Sequence, residues 1–321
     1  MSPNSPRRAA DARVVSIGEC MVELARGADG RFALAYGGDT FNTAVYLARC
    51  GVAVDYLTQL GTDPYSDAIM ALAHTETVGT SLVARVAGRM PGLYLIETDA
   101  SGERTFHYWR DRSPARETFD APLDARRAQR VLDADVIFLS AISLSLYAAD
   151  ALDRLHALLA AAKANGARIA FDGNYRPRGW AGDAARARSV TARFLALADI
   201  AFPTFDDEAA LWGDANPAAT LARITGAGVG EVAVKCGADG ALVFADGATT
   251  HVPVPATVTP VDTTGAGDSF DAAYLAQRLD AAPAPAAALA GHRLAGEVIR
   301  HRGAIVPAAA TAPVIAALRG K

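Results

Sequence analysis

No pair of cysteines lies close enough in this 321-residue chain to suggest zinc, redox exchange or a disulfide framework: Cys20, Cys50 and Cys236 are widely spaced, without a C-x-x-C. A reducing cytoplasm is the compartment this predicts. No run approaches the roughly 20 apolar residues of a membrane-spanning helix. Val14 to Ile17 is too short for the apolar core of an export signal despite Arg7 and Arg8, so residues 1–12 read as a loose tail before one domain over 13–321. Basic charge is not in excess either, with 31 Lys and Arg against 35 Asp and Glu for a net −4, which argues against a nucleic-acid-binding surface. The single Gly-Lys, Gly320-Lys321, is not followed by Ser or Thr, so a Walker A loop is absent. Gly265-x-Gly267 has Phe270 where a dinucleotide fingerprint needs its third glycine. Gly267-Asp268-Ser269-Phe270-Asp271 lacks the closing glycine of a hydrolase elbow. The six histidines form no H-E-x-x-H or comparable ligand pattern.

What the chain does contain is 51% hydrophobic and 21% charged residues, enough to bury a sizeable core. Short β-branched runs alternate with alanine-rich helical stretches, the pattern of parallel strands joined by crossover helices. Strands are predicted at Arg13 to Ile17, Val52 to Thr58, Val136 to Ser140, Arg168 to Asp172, Ile200 to Pro203 and Glu231 to Lys235. Helices are predicted from a capping Asp39 to Cys50, from Asp63-Pro64 to near Gly79, and over Ala148 to Ala164. Pro283 and Pro285 mark a loop within Ala281 to Ala290. Leu82 to Trp109 breaks the rhythm with extended segments around Asp99-Ala100-Ser101-Gly102, which reads either as a lid over a site or as a structural edge hairpin.

The run Val261-Asp262-Thr263-Thr264-Gly265-Ala266-Gly267-Asp268-Ser269-Phe270 precedes a helical Asp271 to Leu279. Its two glycines let the backbone approach an anion, and the opening helix offers free N–H groups and the positive end of its dipole. Asp268 falls in the first turn beside that cradle, placed to accept the proton of an attacking hydroxyl. The same dipole predicts that Asp268 stays ionised, a weak base whose contribution is alignment. Taken alone, G-x-G-D reads first as a glycine-rich turn whose Asp merely caps a helix.

With its ten-residue context, the run resembles the C-terminal signature D-T-x-G-A-G-D-x-F of the ribokinase-like (PfkB) sugar kinases. The resemblance extends to Tyr36-Gly37-Gly38-Asp39-Thr40-Phe41-Asn42-Thr43-Ala44 and to Val234-Lys235-x-Gly237-x-x-Gly240, in matching order from about Arg13 to Pro307. Within the family, Gly18 to Leu24, Pro91 to Tyr94, Gly102 to Phe106 and Asp207 to Gly213 are most similar to 2-keto-3-deoxygluconate kinases. The resemblance implies an α/β, three-layer ribokinase-like fold with a mostly parallel central sheet and a small β-sheet lid, its strands drawn from about 18–38 and 82–112. It implies ATP and Mg2+, a sugar-acid substrate phosphorylated at its C6 hydroxyl in sugar-acid breakdown, and a dimer or larger homo-oligomer paired through the lids.

It also implies the site. Asp268 is the base, with Gly265, Ala266 and Gly267 forming the anion hole. Gly37, Gly38, Asn42, Tyr94, Tyr108, Arg110 and Arg176 hold the sugar acid, the Arg110 guanidinium suiting its carboxylate. Asn174, Arg176, Lys235, Gly237, Gly240 and His292 contact the nucleotide. Glu208 organises the metal through water, although Phe205 replaces the family's asparagine and leaves Asp206 or Asp207 to supply the missing oxygen. Gly173 and Asp271 also depart from the family's usual residues. A fructokinase or another sugar kinase of the family, and a catalytically silent sugar- or nucleotide-binding regulator, are the competing expectations.

Overall fold

A computed structural model describes residues 12–27, 29–98 and 104–320. Among these, the strands are β1 (Arg13–Ile17), β2 (Met21–Arg26), β3 (Phe32–Gly37), β4 (Ala53–Gly61), β5 (Val83–Val86), β6 (Leu93–Thr98), β7 (Arg104–Trp109), β8 (Val136–Ser140), β9 (Arg168–Asp172), β10 (Ile200–Phe202), β11 (Glu231–Lys235), β12 (Ala241–Ala245) and β13 (Ala248–Val252). The helices are α1 (Asp39–Arg49), α2 (Pro64–Thr75), α3 (Ala125–Leu132), α4 (Ala141–Leu146), α5 (Ala149–Ala164), α6 (Ala184–Leu195), α7 (Phe205–Trp212), α8 (Pro217–Gly226), α9 (Ala266–Leu279), α10 (Ala284–Val298) and α11 (Ala308–Arg319). None of these helices is long and apolar enough to cross a membrane.

Nine strands form one sheet in the order β13-β12-β11-β10-β9-β8-β1-β4-β5, parallel from β11 to β5 and closed by the antiparallel β12 and β13. Its interior strands are apolar on both faces because helices cover both. In β8, Val136 and Phe138 enter the apolar layer under α1, α9, α10 and α11, while Ile137 and Leu139 enter the opposite layer with α5 and α6. Consecutive side chains of a strand point to opposite faces, so one five-residue run serves both layers. From β1 the chain proceeds to β4 on one side, whereas β8 to β11 extend on the other. The order therefore reverses between β1 and β8, where open α/β sheets leave a crevice at the carboxyl ends.

The second sheet, β3-β2-β6-β7, has β2 parallel to β6 and its other pairs antiparallel. It stands in the two stretches expected to supply a lid, and the β6–β7 register pairs Tyr94 with Tyr108. The turn expected at 99–102 lies outside the described residues, as does the tail over 1–11.

Several boundaries differ from expectation. Gly38 is the N-cap of α1 and Asp39 its first residue, so Asp39 points into the site without capping the helix. Asp63 does cap α2, accepting from the amides of Tyr65 and Ser66, but the helix ends at Thr75 because Thr77 takes a left-handed conformation. Strand β4 runs three residues past Thr58, since Thr58 to Gly61 pair with β5, which is thereby the edge of the large sheet and no part of the small one. Pro285 belongs to the first turn of α10, where a missing N–H costs nothing, so the loop ends at Pro283. Helix α9 begins at Ala266, five residues before the expected Asp271, with Gly265 as its cap.

Candidate active site

A cleft of about 1130 Å3 opens between the small sheet and the carboxyl ends of the large one. Its floor is the start of α9. Gly265 adopts φ 78° there, and a Cβ would come within 2.6 Å of the Ala304 carbonyl oxygen, so both conformation and space require glycine. Gly265, Gly267 and Asp268 line the cleft beside Thr263 and Thr264, and the Gly267 and Asp268 amides lack helical acceptors, a ready anion site, whereas the Ala266 amide donates to the Thr263 carbonyl at 3.3 Å.

Asp268 lies in that first turn, buried, and its Oδ2 accepts a 2.7 Å bond from Nδ2 of Asn42 on α1. Asn42 thus reaches this carboxylate across 226 residues of sequence. Burial lifts the Asp268 carboxyl to about 7, and the neighbouring charges of Asp39 and Asp172 push in the same direction, while the Asn42 bond and Lys235 pull it down. This corrects the expectation that the helix dipole keeps Asp268 a weak base. Loss of water and two like charges outweigh a terminal dipole worth about 1 kcal/mol.

Lys235, at the end of β11, is neither solvated nor turned outward. Its Nζ donates to Asp172 Oδ1 at 3.2 Å and to Asp271 at 3.0 and 3.3 Å. Burial works against the ammonium, yet the two carboxylates hold its pKa above the usual lysine range. Asn174 does not stand free: its Nδ2 donates to Asp39 Oδ2 at 3.2 Å. Arg176 is paired with Asp207 at 2.9 Å while still lining the cleft.

Gly38, Asn42, Tyr94, Tyr108 and Arg110 line the cleft together. A Cβ on Gly38 would sit 2.0 Å from the Glu19 carbonyl oxygen, so this passage from the small sheet into α1 admits only glycine. Gly37, one residue back, packs beside the Asn42 amide and the Tyr94 hydroxyl. The Tyr94 and Tyr108 rings face each other at 6.0 Å, and the Tyr94 hydroxyl donates to Glu23. Arg110 follows β7 and its guanidinium faces Glu19, a buried carboxylate after β1 that also lines the cleft.

Glu208, His292, Gly237 and Gly240, all expected at the site, are not brought to this cleft. Glu208 lies behind Gly173 with its carboxylate on Arg223 at 2.6 Å, and burial raises it to about 7. His292 packs against Phe270 in a tilted contact, ring centroids 5.1 Å apart, and bonds the Val252 carbonyl; it lines a second cavity of about 410 Å3 with Pro255, Ala256 and Val258. Gly237 and Gly240 shape the turn from β11 to β12 without lining the main cleft. Gly240, at φ 92°, is packed against Val252 and Pro253. Among the described residues no three His, Cys, Asp or Glu side chains group to hold a metal.

Sequence reasoning missed Glu19, Asp39 and Asp172 as site residues and gave Asp271 no role. Asp172 had a usable signal, being the polar residue that ends an apolar strand at the ligand-binding edge of the sheet. Glu19 likewise follows β1.

Residues 11–311 match the pfkB family of carbohydrate kinases. The chain is 45% identical over 304 residues to a 2-dehydro-3-deoxygluconokinase of Escherichia coli (strain K12), covering 92% of this chain and 97% of that one. It is 46% identical over 303 residues to a 2-dehydro-3-deoxygluconokinase of Dickeya dadantii, covering 92% and 96%. A solved 2-dehydro-3-deoxygluconokinase of Thermotoga maritima shares the fold with a TM-score of 0.82 at 23% identity, over 95% of this chain and 98% of that one. A motif-bearing helix start, a small sheet over the cleft and a family match across nearly the whole length agree: this chain is a member of the pfkB family of carbohydrate kinases.

Proposed function

We propose that the chain transfers the γ-phosphoryl group of ATP to the C6 hydroxyl of 2-keto-3-deoxygluconate, giving the 6-phosphate and ADP. The observation that carries this is the buried Asp268 carboxylate, held by Asn42 at the amide-lined start of α9, in a chain 45% identical to a kinase of that name. The hydroxyl oxygen bonds to the γ-phosphorus, the bond from that phosphorus to the bridging oxygen breaks, and ADP leaves with the electron pair. Asp268 takes the hydroxyl proton. A carboxyl near 7 is well matched to that task at neutral pH, and Asn42 fixes which oxygen faces the acceptor.

The phosphates are expected over Gly265, Ala266 and Gly267, with Lys235, Asn174 and Arg176 around them and the adenine toward His292 and the Gly237–Gly240 turn. Mg2+ takes most of its oxygens from phosphate and water and needs only one or two carboxylates. The hard oxygens of Asp39 and Asp172 in the cleft fit it, and Glu208, pressed against Gly173, would reach it only through water. Such an ion would neutralise phosphate charge. Tyr94, Tyr108 and Arg110 are assigned to the sugar acid, and closure of the small sheet over it would exclude water. Exposed Phe32 and Leu34 on that sheet favour pairing with a second copy.

One observation favours a neutral ketose as a second reading: Glu19 already neutralises Arg110. An ADP-release assay with 2-keto-3-deoxygluconate, fructose and ribose separates the two. Turnover of the keto acid supports the proposal; turnover of fructose alone rejects it. Arg110→Ala should raise KM for the keto acid far more than for any neutral ketose.

A further inference from the structure

Helix α9 places a second acid one turn after the base. Asp271 is fully buried, and both of its oxygens face the Lys235 ammonium at 3.0 and 3.3 Å. The third partner, Asp172, lies on a different element and offers one oxygen at 3.2 Å. The location of the ammonium is unusual. A Cβ added to Gly267 would lie 3.4 Å from Nζ, so the charge rests against the first turn of α9. A cation beside the positive end of a helix is disfavoured by the dipole, and a buried cation is disfavoured by lost hydration. It stays because two carboxylates surround it. Cation and helix end together make a strong site for a polyanion.

We infer that Asp271 is a positioning residue: it ties the Lys235 ammonium to the same rigid helix that carries Asp268, fixing cation and base relative to one another at the phosphoryl-transfer point. Asp172 alone would leave Nζ tethered to the end of β9, free to pivot away from Gly267. With Asp271, three residues along one helix separate the proton acceptor from the anchor of the charge that faces the phosphates, so their spacing is that of the helix backbone. The inference rests on the reading of ATP as donor.

The test uses the full chain and two ligand readouts: ADP binding by calorimetry, which needs no sugar, and steady-state turnover. Asp271→Asn keeps shape and removes the anchoring charge; Asp271→Ser is a smaller second variant should Asn fail to fold, and urea melts identify the folded ones. Misplacement of a charge by a fraction of its reach costs chemistry more than ground-state binding, so kcat should fall at least about tenfold while ADP affinity changes less than about threefold. Lys235→Met should lower both by about tenfold or more. Because Asp271 acts through Lys235, adding Asp271→Asn to Lys235→Met should cost no further kcat. A folded Asp271 variant with parental kcat overturns the inference, as do losses that multiply in the double variant. A parent that fails to bind ADP overturns the kinase reading and this inference with it; a parent that binds ADP beside an unaffected Asp271→Asn overturns the inference alone.

Discussion

Replacing Asp268 with Asn should abolish turnover and, at alkaline pH, make the protein more stable. The folded carboxyl titrates at about 7, whereas an unfolded Asp titrates near about 3.9. Between those values the folded chain keeps a proton that the unfolded chain has released, so stability falls as pH rises through that window. The gap of about 3 units, at about 1.4 kcal/mol each, sets a ceiling of about 4 kcal/mol lost above pH 7; water entry and relaxation reduce this to an expected 1–3 kcal/mol, or about half the ceiling. Asn at this position removes the charge facing Asp39 and Asp172 and keeps an acceptor for the Asn42 amide. Urea denaturation of both proteins at pH 4 and pH 8 reads the effect. The variant should match its parent at pH 4 and exceed it at pH 8, while its kcat falls by about 100-fold or more. A variant less stable than its parent at pH 8, or a stability difference independent of pH, would refute the claim that burial and like charge hold this acid up.

Three further outcomes follow from the same geometry. Asn42→Ala removes a bond to a buried charge worth about 1.5–3 kcal/mol, which moves the acid limb of the kcat/KM profile about 1–2 pH units to the alkaline side of its position near 7; pH–rate profiles check this, and an unmoved limb contradicts the role given to Asn42. Arg110→Ala strands the buried Glu19 carboxylate, with an expected loss of about 3–5 kcal/mol in urea melts, and Arg110→Met combined with Glu19→Gln should recover most of it. Gly38→Ala drives a methyl into the Glu19 carbonyl, where backbone cannot yield cheaply, so thermal melting should drop markedly; an unshifted midpoint would contradict the contact.

The interior strands β1, β8, β9, β10 and β11 were legible because each has a run of apolar residues that serves two covered faces, as Val136 to Leu139 do in β8. The anion cradle was legible for a similar reason: glycines, a helix start and an acid within four residues are a local arrangement that needs no partner to be recognised. Asp268, Asn42, Gly38, Tyr94, Tyr108 and Arg110 line one cleft. The edge strand β5 was misread because extended residues carry no mark of which sheet they join.

Charge pairing is where local reading ended. Lys235 meets Asp172 and Asp271 across 63 and 36 residues of sequence, and Arg110 meets Glu19 only because the chain crosses between the two sheets at both places. A sequence states which side chains carry charge, but whether a lysine is solvated or held by two carboxylates depends on which elements pack together. The titration of Asp268 shows the same division. Its place on the helix was set by the local sequence, while the direction of its shift was decided by water excluded and by acids delivered from α1 and β9, quantities that exist only once the layers have closed.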